Sequence, residues 1–390
     1  DLLVYLHENQ GKVVLLIDEY DKPLLEYVEN EYNDDALVTQ ATMKSFYSVL
    51  KGNEKLLHLT FITGITKFTK VSIFSDLNHL KDLTFHPKLI AAYGCTQEEV
   101  LANFDEYIQA FLQKNADYTK ESFILKLKNY YNGYSWDGEI SVYNPFGLLN
   151  FFDELRFSSD WFESGTPTFL VKKLLNEQAF YMEEKEMNLS DLNFRTLQQI
   201  ENVPLMFQAG YLTIKSLDRD SNCILDYPNG EVRECFYRFL LRGLGGNVLK
   251  TIPPLLKLAR AFDTCDLEKA ESVVQHVFAD LPYDVYNNQT IRQIEGFYHG
   301  IIHVLFHYIG IQVQSEVHTA RGRADAILTT ENYIYIFEFK IDKSTGEAMQ
   351  QILTKNYVAK YEHSGKKIIL VAANFDTKTR EMDDWEIAEI

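Results

Sequence analysis

The chain has 390 residues, 46% of them hydrophobic, which is enough apolar material for the cores of two or three ordinary domains. It contains no run of about 18 uncharged apolar residues, so no membrane-spanning helix is expected, and its first residues lack the pattern of a secretory signal. The four cysteines form no C-x-x-C pair, which argues against a zinc cluster and against a disulfide framework. Free thiols fit a reducing compartment, so the sequence predicts a cytoplasmic protein.

The net charge of −18 argues against a chain that binds nucleic acid along its whole surface, because like charges repel each other. The acidic charge is unevenly distributed, however. Residues 312–372 contain eight Lys or Arg and seven Asp or Glu, a net charge of +1, so the rest of the chain has a net charge of −19. Contact with nucleic acid is therefore expected in this C-terminal segment, or in sequence outside this chain.

The first 95 residues have the pattern of an α/β domain. Leucines at helical spacing over 1–8 are followed by Val13–Ile17, a continuous apolar run that is typical of a strand buried on both faces. A predicted helix extends to about residue 50, and Leu57–Ile62 forms a second predicted strand. This order indicates a parallel α/β unit. Because the chain starts at Asp1 inside a helical pattern, we expect a fragment of a longer protein.

Two acids, Asp18 and Glu19, directly follow the first strand, as in the Walker B motif of ATPases. In that motif the first acid holds Mg²⁺ and the second polarises the attacking water. Thr63 follows the second strand, where such ATPases have a polar residue that senses phosphate. The Walker A pattern G-x-x-x-x-G-K-[ST] is absent from the sequence. The sequence thus predicts ATP and Mg²⁺ binding at these residues in a full-length protein only; the alternative is a strand that ends in solvated acids.

The rest of the chain falls into two predicted regions. Residues 96–285 are predicted to be mainly helical, with a short hairpin near residues 205–230. Residues 286–390 have the predicted order α-β-β-β-α-β, with elements at about 290–308, 311–318, 323–329, Tyr333–Lys340, 344–361 and Lys367–Ala372.

Asp325, Glu338 and Lys340 form a candidate metal site in this last region. Side chains alternate between the faces of a strand, so Glu338 and Lys340 point to the same side where Tyr333–Lys340 ends. Asp325 lies on the preceding strand, within reach across a hairpin. Two carboxylates suit a hard divalent cation such as Mg²⁺, and a lysine beside them can position water or offset charge on a phosphate. The alternative is a surface strand that ends in a Glu–Lys pair.

These residues resemble the PD-(D/E)xK nuclease superfamily, with Asp325 as the first motif acid and Glu338-Phe339-Lys340 as the E-x-K motif. The wider chain resembles a bacterial family in which an AAA-ATPase-like domain is fused to a C-terminal PD-(D/E)xK domain. The matching stretches are Leu16–Pro23, Thr63–Lys67, Ser72–Asn78, Tyr131–Tyr134, Tyr143–Phe146, Gly210–Ile214, Tyr227–Asn229, Gly322–Asp325 and Phe337–Lys340. The P-loop region of that family has no counterpart in this sequence.

The resemblance implies an α/β multidomain protein with three parts. Residues 1–95 would be the C-terminal part of a P-loop AAA-like α/β domain, and residues 96–285 a mainly helical middle region. Residues 286–390 would be a restriction-endonuclease-like domain of α-β-β-β-α-β order. The resemblance also implies a polar residue that supports the site from the helix after the E-x-K motif. This residue is Gln351 or its neighbour Gln350; a solvated glutamine is the alternative.

A stripe on the predicted helix 290–308 has several interpretations. Glu295, His299, His303 and His307 are spaced four residues apart and therefore share one face. The resemblance makes Glu295 a candidate metal ligand, because many of these nucleases add a helical acid to the site. Histidines at this spacing can also bind zinc. The simplest interpretation is a helix face packed on the sheet.

The sequence and the resemblance together predict a DNA nuclease that depends on Mg²⁺ or Mn²⁺ and is coupled to an AAA-like ATPase in the full-length protein. Its catalytic residues would be Asp325, Glu338, Lys340 and Gln351. Nucleic acid would bind near the C-terminal domain, with DNA favoured over RNA, no membrane partner, and a homo-oligomer left open. The alternative is a catalytically inactive nuclease-like scaffold in an ATP-switched regulatory protein, which the acidic net charge slightly favours.

Overall fold

The described part of the chain folds into two compact units of mixed α/β structure. A computed structural model describes residues 2–25, 34–66, 80–159, 168–193, 200–243, 248–279, 291–310, 312–319, 322–379 and 381–390. One unit contains Asp1–Leu170 and Met182–Arg233, and the other contains Val171–Tyr181 and Glu234–Ile390. The predicted boundaries near residues 95 and 285 stay predictions. Among the described helices, none is both long and apolar enough to cross a membrane.

The N-terminal part of the first unit contains α1 (Leu2–Gln10), β1 (Val13–Ile17), α2 (Lys22–Leu25), α3 (Asp34–Gly52) and β2 (Leu57–Ile62). The strands β1 and β2 are parallel neighbours, with Ile17 opposite Ile62, as the strand–helix–strand pattern predicts. The sequence also predicts burial of both faces of β1, and this is wrong for the described structure, because Val14 and Leu16 are exposed. The described part of this sheet has two strands, and the described residues leave one face of it uncovered.

The middle of the first unit consists of short helices around an aromatic core. Its elements are α4 (Gln97–Asn103), α5 (Asp105–Lys114), α6 (Lys120–Tyr131), β3 (Asn132–Tyr134), β4 (Val142–Tyr143) and α7 (Pro145–Glu154). Capping boxes at Thr96 and Thr119 satisfy backbone donors where α4 and α6 begin. Phe111, Phe123 and Phe151 are buried together, which explains why this stretch is rich in aromatic residues.

A three-stranded sheet lies in the region where the sequence predicts a hairpin near residues 205–230. The elements after α7 are α8 (Thr168–Asn176), β5 (Lys185–Asn188), α9 (Asn202–Gln208), β6 (Thr213–Leu217) and β7 (Asn222–Asp226). β6 and β7 are antiparallel, with Ile214 opposite Leu225, and β5 pairs with the other side of β7. The sequence analysis does not predict β5, because Lys185-Glu186-Met187-Asn188 contains no β-branched or aromatic residue.

The second unit contains helices and one large sheet. Besides most of α8, its helices before the sheet are most of α10 (Gly230–Gly243) and all of α11 (Val248–Thr264), α12 (Leu267–Ala279) and α13 (Ile291–Tyr308). The sheet region consists of β8 (Gln312–Thr319), β9 (Gly322–Thr329), β10 (Tyr333–Ile341), α14 (Thr345–Lys355), β11 (Lys367–Asp376) and β12 (Glu381–Glu389). The described strands have the order β12-β11-β10-β9-β8, and β10 is parallel to β11. The α-β-β-β-α-β order is therefore confirmed, and β12 is added to it.

Side chains of β10 alternate between the two faces of the sheet, and each face packs against a different helix. Ile336 belongs to a buried cluster that includes residues of α14. The ring of Phe337 instead lies 5.1 Å from the ring of Phe306, which belongs to α13. Continued alternation places Glu338 and Lys340 on the α14 side of the sheet. The apolar first part of β10 thus fixes which face the candidate site occupies.

We predict that Gly300→Ala destabilises the second unit. A Cβ atom at Gly300 of α13 would lie 2.0 Å from the Cδ2 atom of Phe180, so the helix or the ring must shift. Overpacking of this kind costs about 1–3 kcal/mol, measurable as a lower free energy of unfolding in urea. Gly346→Ala in α14 is the control, because its Cβ would lie in ordinary contact, 3.9 Å from the Oγ atom of Ser344. Equal stability of the two variants would contradict this packing.

Candidate metal centre

Asp325, Glu338 and Lys340 lie together at the end of β10. The antiparallel register of β9 and β10 pairs Ala326 with Phe337, so the next positions along the two strands are Asp325 and Glu338. The backbone N–H of Phe339 donates a hydrogen bond to Oδ2 of Asp325 at 2.8 Å. This bond links the Asp325 carboxylate to the neighbouring strand and orients it, so the strand pairing itself brings the two predicted acids together.

The Glu338 carboxylate is almost completely buried, with a relative exposure of 1%. Its Oε1 atom accepts a hydrogen bond from Nζ of Lys340 at 2.8 Å. Its Oε2 atom is buried and has no hydrogen-bond partner among the described residues. Burial, and then the nearby charge of Asp325, raise the pKa of Glu338 to about 7, while Lys340 and Gln351 act to lower it. The site therefore contains more negative charge than one lysine offsets.

Lys340 is oriented by two acceptors. Its Nζ atom donates to Oε1 of Glu338 and to Oε1 of Gln351, both at 2.8 Å. Gln351 lies on α14, whereas its neighbour Gln350 is exposed to solvent. Of the two glutamines considered from the sequence, Gln351 is therefore the one that contacts the candidate site. Nε2 of Gln351 in turn donates to the hydroxyl of Tyr357 at 3.4 Å, a contact that the sequence analysis did not anticipate.

The helix α13 brings a histidine to the site. Nε2 of His299 lies 3.8 Å from Oδ2 of Asp325, and the His299 ring packs 5.5 Å from the ring of Phe339. The four-residue stripe predicted that His299 shares a helix face with Glu295, but not which of its members reaches the sheet. The side chain of Glu295 lies outside the described residues, so its candidate role as a metal ligand stays a prediction.

The remaining histidines of the stripe make aromatic contacts. Nε2 of His303 lies 3.2 Å from the hydroxyl of Tyr237, and the ring of His307 stacks on the ring of Tyr237 at 4.8 Å. The ring of His303 also packs 4.4 Å from the ring of Tyr181. His303 and His307 are thus packed, but against Tyr237 of α10 and Tyr181, whereas the sequence predicts packing on the sheet. The zinc interpretation stays a hypothesis.

The donor set at the end of β10 fits a divalent cation such as Mg²⁺ or Mn²⁺. Both ions prefer carboxylate oxygen ligands, and Asp325 and Glu338 supply two carboxylates on adjacent strands. A buried carboxylate oxygen without a hydrogen-bond partner costs free energy, and Oε2 of Glu338 is such an atom among the described residues. A cation bound by this oxygen would remove that cost.

The acids after β1 form a second, more exposed site. Thr63 donates a hydrogen bond from its hydroxyl to Oδ1 of Asp18, so the strand ends meet as the parallel pairing predicts. Glu19 has a positive φ of 50° and its carboxylate pairs with Lys22 at 3.0 Å. The structure thus brings Asp18 and Thr63 into contact, while their predicted role in ATP binding stays a prediction.

Asp21 is a buried acid that the sequence analysis did not single out. It is completely buried, and its Oδ1 atom accepts a hydrogen bond from the backbone N–H of Ile65 at 3.1 Å. Its Oδ2 atom accepts from the backbone N–H of Thr66 at 2.5 Å and from the hydroxyl of the same residue. Asp21 thus links the segments after β1 and β2, next to Asp18 and Thr63. The motif Ser72–Asn78 lies outside the described residues.

Comparisons with known proteins indicate the family of this chain. The sequence pattern of the PD-(D/E)XK nuclease superfamily matches residues 293–385, and the pattern described as a predicted AAA-ATPase matches residues 2–74. The chain is 34% identical over 391 residues to a protein of Azotobacter chroococcum mcd 1 named "Uncharacterized protein in vnfD 5'region". The match covers 97% of this chain and 72% of that protein.

The chain belongs to the AAA-ATPase-like family with a C-terminal PD-(D/E)XK nuclease-superfamily domain. This membership confirms the resemblance seen in the sequence motifs. The superfamily match runs from within α13 into β12, and it therefore includes the four predicted catalytic residues, Asp325, Glu338, Lys340 and Gln351. No solved structure matches the chain significantly.

We predict that Glu338 makes the stability of this protein depend on pH when no metal is bound. The pKa of Glu338 is raised from 4.5 to about 7, so the folded protein binds this proton more tightly than the unfolded chain does. The free energy of unfolding should therefore fall as pH rises between these two values. Glu338→Gln removes this contribution. In EDTA, the free energy of unfolding of the variant relative to that of the parent should therefore rise by roughly 2–3 kcal/mol when the pH is raised from 5 to 8.

Urea unfolding at both pH values measures this difference. Glu347→Gln is the matched control, because Glu347 is an exposed acid on α14. That variant should follow the parent at both pH values. A Glu338→Gln variant with the same pH dependence as the parent would contradict the raised pKa.

Proposed function

We propose that the C-terminal domain hydrolyses phosphodiester bonds of DNA with the help of Mg²⁺ or Mn²⁺. The observation that supports this most is the arrangement around Glu338: a buried carboxylate with one oxygen lacking a described partner, beside Asp325 and a lysine oriented by two acceptors. Membership of the PD-(D/E)XK nuclease superfamily supports the same reaction class.

In this proposal Asp325 and Glu338 hold the cation. A divalent cation bound there would lower the pKa of a water molecule that it binds, and it would offset negative charge on a phosphate. Lys340 directs its ammonium group toward the attacking water or a phosphate oxygen, and Gln351 limits its movement. Hydrolysis forms a bond between the water oxygen and phosphorus and breaks the bond from phosphorus to the leaving oxygen.

DNA is the proposed substrate because the superfamily consists of nucleases and because the charge balance of this segment permits it. Residues 312–372 have a net charge of +1 in a chain of net charge −18, so they repel a phosphate backbone less than the rest of the chain does. RNA or a small phosphodiester would contact the same carboxylates and lysine. Competition of each of them with plasmid DNA in the cleavage assay distinguishes these substrates.

We further propose that Asp18, Glu19 and Thr63 serve ATP chemistry in the full-length protein. The contact between Asp18 and Thr63 supports this, because it brings a strand-end acid beside the polar residue of the next strand. The match of residues 2–74 to a predicted AAA-ATPase supports it too. In this proposal, ATP hydrolysis at the AAA-like module controls the access of DNA to the nuclease domain.

Cleavage of supercoiled plasmid DNA tests the proposed function. With Mg²⁺ or Mn²⁺ the purified chain should nick or linearise the plasmid, and EDTA should abolish cleavage. Lys340→Ala should lower the rate about 100-fold or more, because it removes a charge aimed at the reacting phosphate. Lys355→Ala is the matched control, since Lys355 is an exposed lysine on α14, and it should cleave at the parent rate.

Two outcomes would contradict this function. Equal cleavage by Lys340→Ala and the parent would mean that the activity comes from another site or from a contaminant. Absence of cleavage with either metal, by this chain and by the full-length protein with ATP, would favour the nuclease-like scaffold in an ATP-switched regulator.

A further inference from the structure

Gln351 connects the candidate site to a buried tyrosine. Its side-chain amide makes two polar contacts from opposite ends: Oε1 accepts from Nζ of Lys340 at 2.8 Å, and Nε2 donates to the hydroxyl of Tyr357 at 3.4 Å. Together with the bond between Lys340 and Glu338, these contacts form a chain from the metal-binding carboxylate to the core behind α14.

The hydrogen-bonding neighbours of Gln351 determine which way its side-chain amide is oriented. A lysine ammonium only donates hydrogen bonds, so Gln351 must turn its oxygen toward Lys340. The amide nitrogen is then free to donate to other groups, and Gln351 also lowers the pKa of the neighbouring Glu338 carboxyl. The hydroxyl of Tyr357 can accept, and it is within hydrogen-bond distance of that nitrogen. An amide with a partner at each end has less freedom to turn away from Lys340.

Tyr357 is itself rigidly positioned. α14 ends at Lys355 and is capped by Asn356, which has a left-handed backbone conformation with φ of 50°. Tyr357 begins a short 3-10 helix directly afterwards. The Tyr357 side chain is 1% exposed and belongs to the same buried cluster as residues of β10 and α14. Burial raises the pKa of Tyr357, so its hydroxyl stays neutral at physiological pH.

We propose that Tyr357 is a positioning residue of the phosphodiesterase site. It fixes the side-chain amide of Gln351, and through Gln351 it keeps the ammonium group of Lys340 beside Glu338. Tyr357 itself touches neither substrate nor metal in this role. The inference rests on the proposed phosphodiesterase function for its catalytic consequence, whereas its effect on Lys340 does not depend on activity.

The chain offers a matched control tyrosine. Tyr361 lies four residues beyond Tyr357, and its hydroxyl donates to Oε1 of Gln314 at 3.4 Å. The two tyrosines therefore make side-chain hydrogen bonds of the same length to glutamines. The Tyr357 hydroxyl accepts its hydrogen bond in a buried setting, whereas the Tyr361 hydroxyl donates at a more exposed position. Of these two bonds, only that of Tyr357 leads to Lys340, so Tyr361→Phe controls for loss of a hydroxyl bonded to a glutamine.

The first readout is the rate at which an amine-reactive acetylating reagent modifies Lys340, quantified by peptide mass spectrometry on the metal-free chain. Tyr357→Phe should raise this rate about 2- to 10-fold, the range that corresponds to one hydrogen bond. Gln351→Met should raise it at least as much, and Tyr357→Phe should add nothing further in the Gln351→Met background. Tyr361→Phe should keep the parent rate.

An internal control separates positioning from general loosening. Nζ of Lys366 donates to the backbone carbonyl of Thr330 at 2.6 Å, away from Gln351. Its modification rate should stay unchanged in Tyr357→Phe. Equal acceleration at Lys366 and Lys340, or an unchanged rate at Lys340, would overturn the proposal.

The second readout is DNA cleavage. Tyr357→Phe should lower kcat about 10-fold, as expected for a residue that supports a catalytic group, and leave KM within about twofold of the parent value. A change in KM alone would overturn the catalytic part of the inference. Absence of cleavage by the parent chain and by the full-length protein with ATP, together with the predicted acetylation pattern, would refute the proposed function and leave the positioning of Lys340 by Tyr357 supported.

Discussion

Burial of the Glu338 carboxylate is the constraint around which the C-terminal domain is arranged. A buried ionised group is costly unless charges and hydrogen bonds compensate it. Lys340 compensates one oxygen at 2.8 Å, while the other has no hydrogen-bond partner among the described residues. Asp325 adds a further negative charge and so raises the pKa of Glu338 together with burial. The surroundings of this carboxylate are thus suited to a bound cation, which connects the packing of the domain to its proposed chemistry.

The surrounding fold supplies these groups through ordinary secondary structure. The apolar residues of β10 pack between α14 and α13, and their alternation sets the side on which Glu338 and Lys340 emerge. Antiparallel pairing with β9 brings Asp325 alongside, and the N–H of Phe339 orients it. α14 then contributes Gln351. Each element that stabilises the sheet therefore also positions one group of the site, so the stability of the domain and the geometry of the site are linked.

Much of this could be predicted from sequence because the signals are local. The run Tyr333–Lys340 has strand composition, and alternation alone predicts that Glu338 and Lys340 share a face. β12 was not predicted because its acidic residues mask the apolar Met382 and Trp385. Both are buried in the folded chain, where β12 pairs with β11 and the Trp385 ring lies 5.8 Å from the Phe337 ring. The contact between Gln351 and Tyr357 depends on how the chain turns after α14, at the left-handed Asn356, and no sequence spacing specifies it.

Divalent-cation binding tests the central claim most directly. The number of Mn²⁺ ions bound per chain can be measured by electron paramagnetic resonance, for the parent and for Asp325→Asn. This substitution keeps the size of the side chain and removes one of the two proposed carboxylate ligands. The account predicts that the variant loses one bound cation per chain, or binds it at least about tenfold more weakly. Equal stoichiometry and affinity in the two proteins would contradict a metal centre at Asp325 and Glu338.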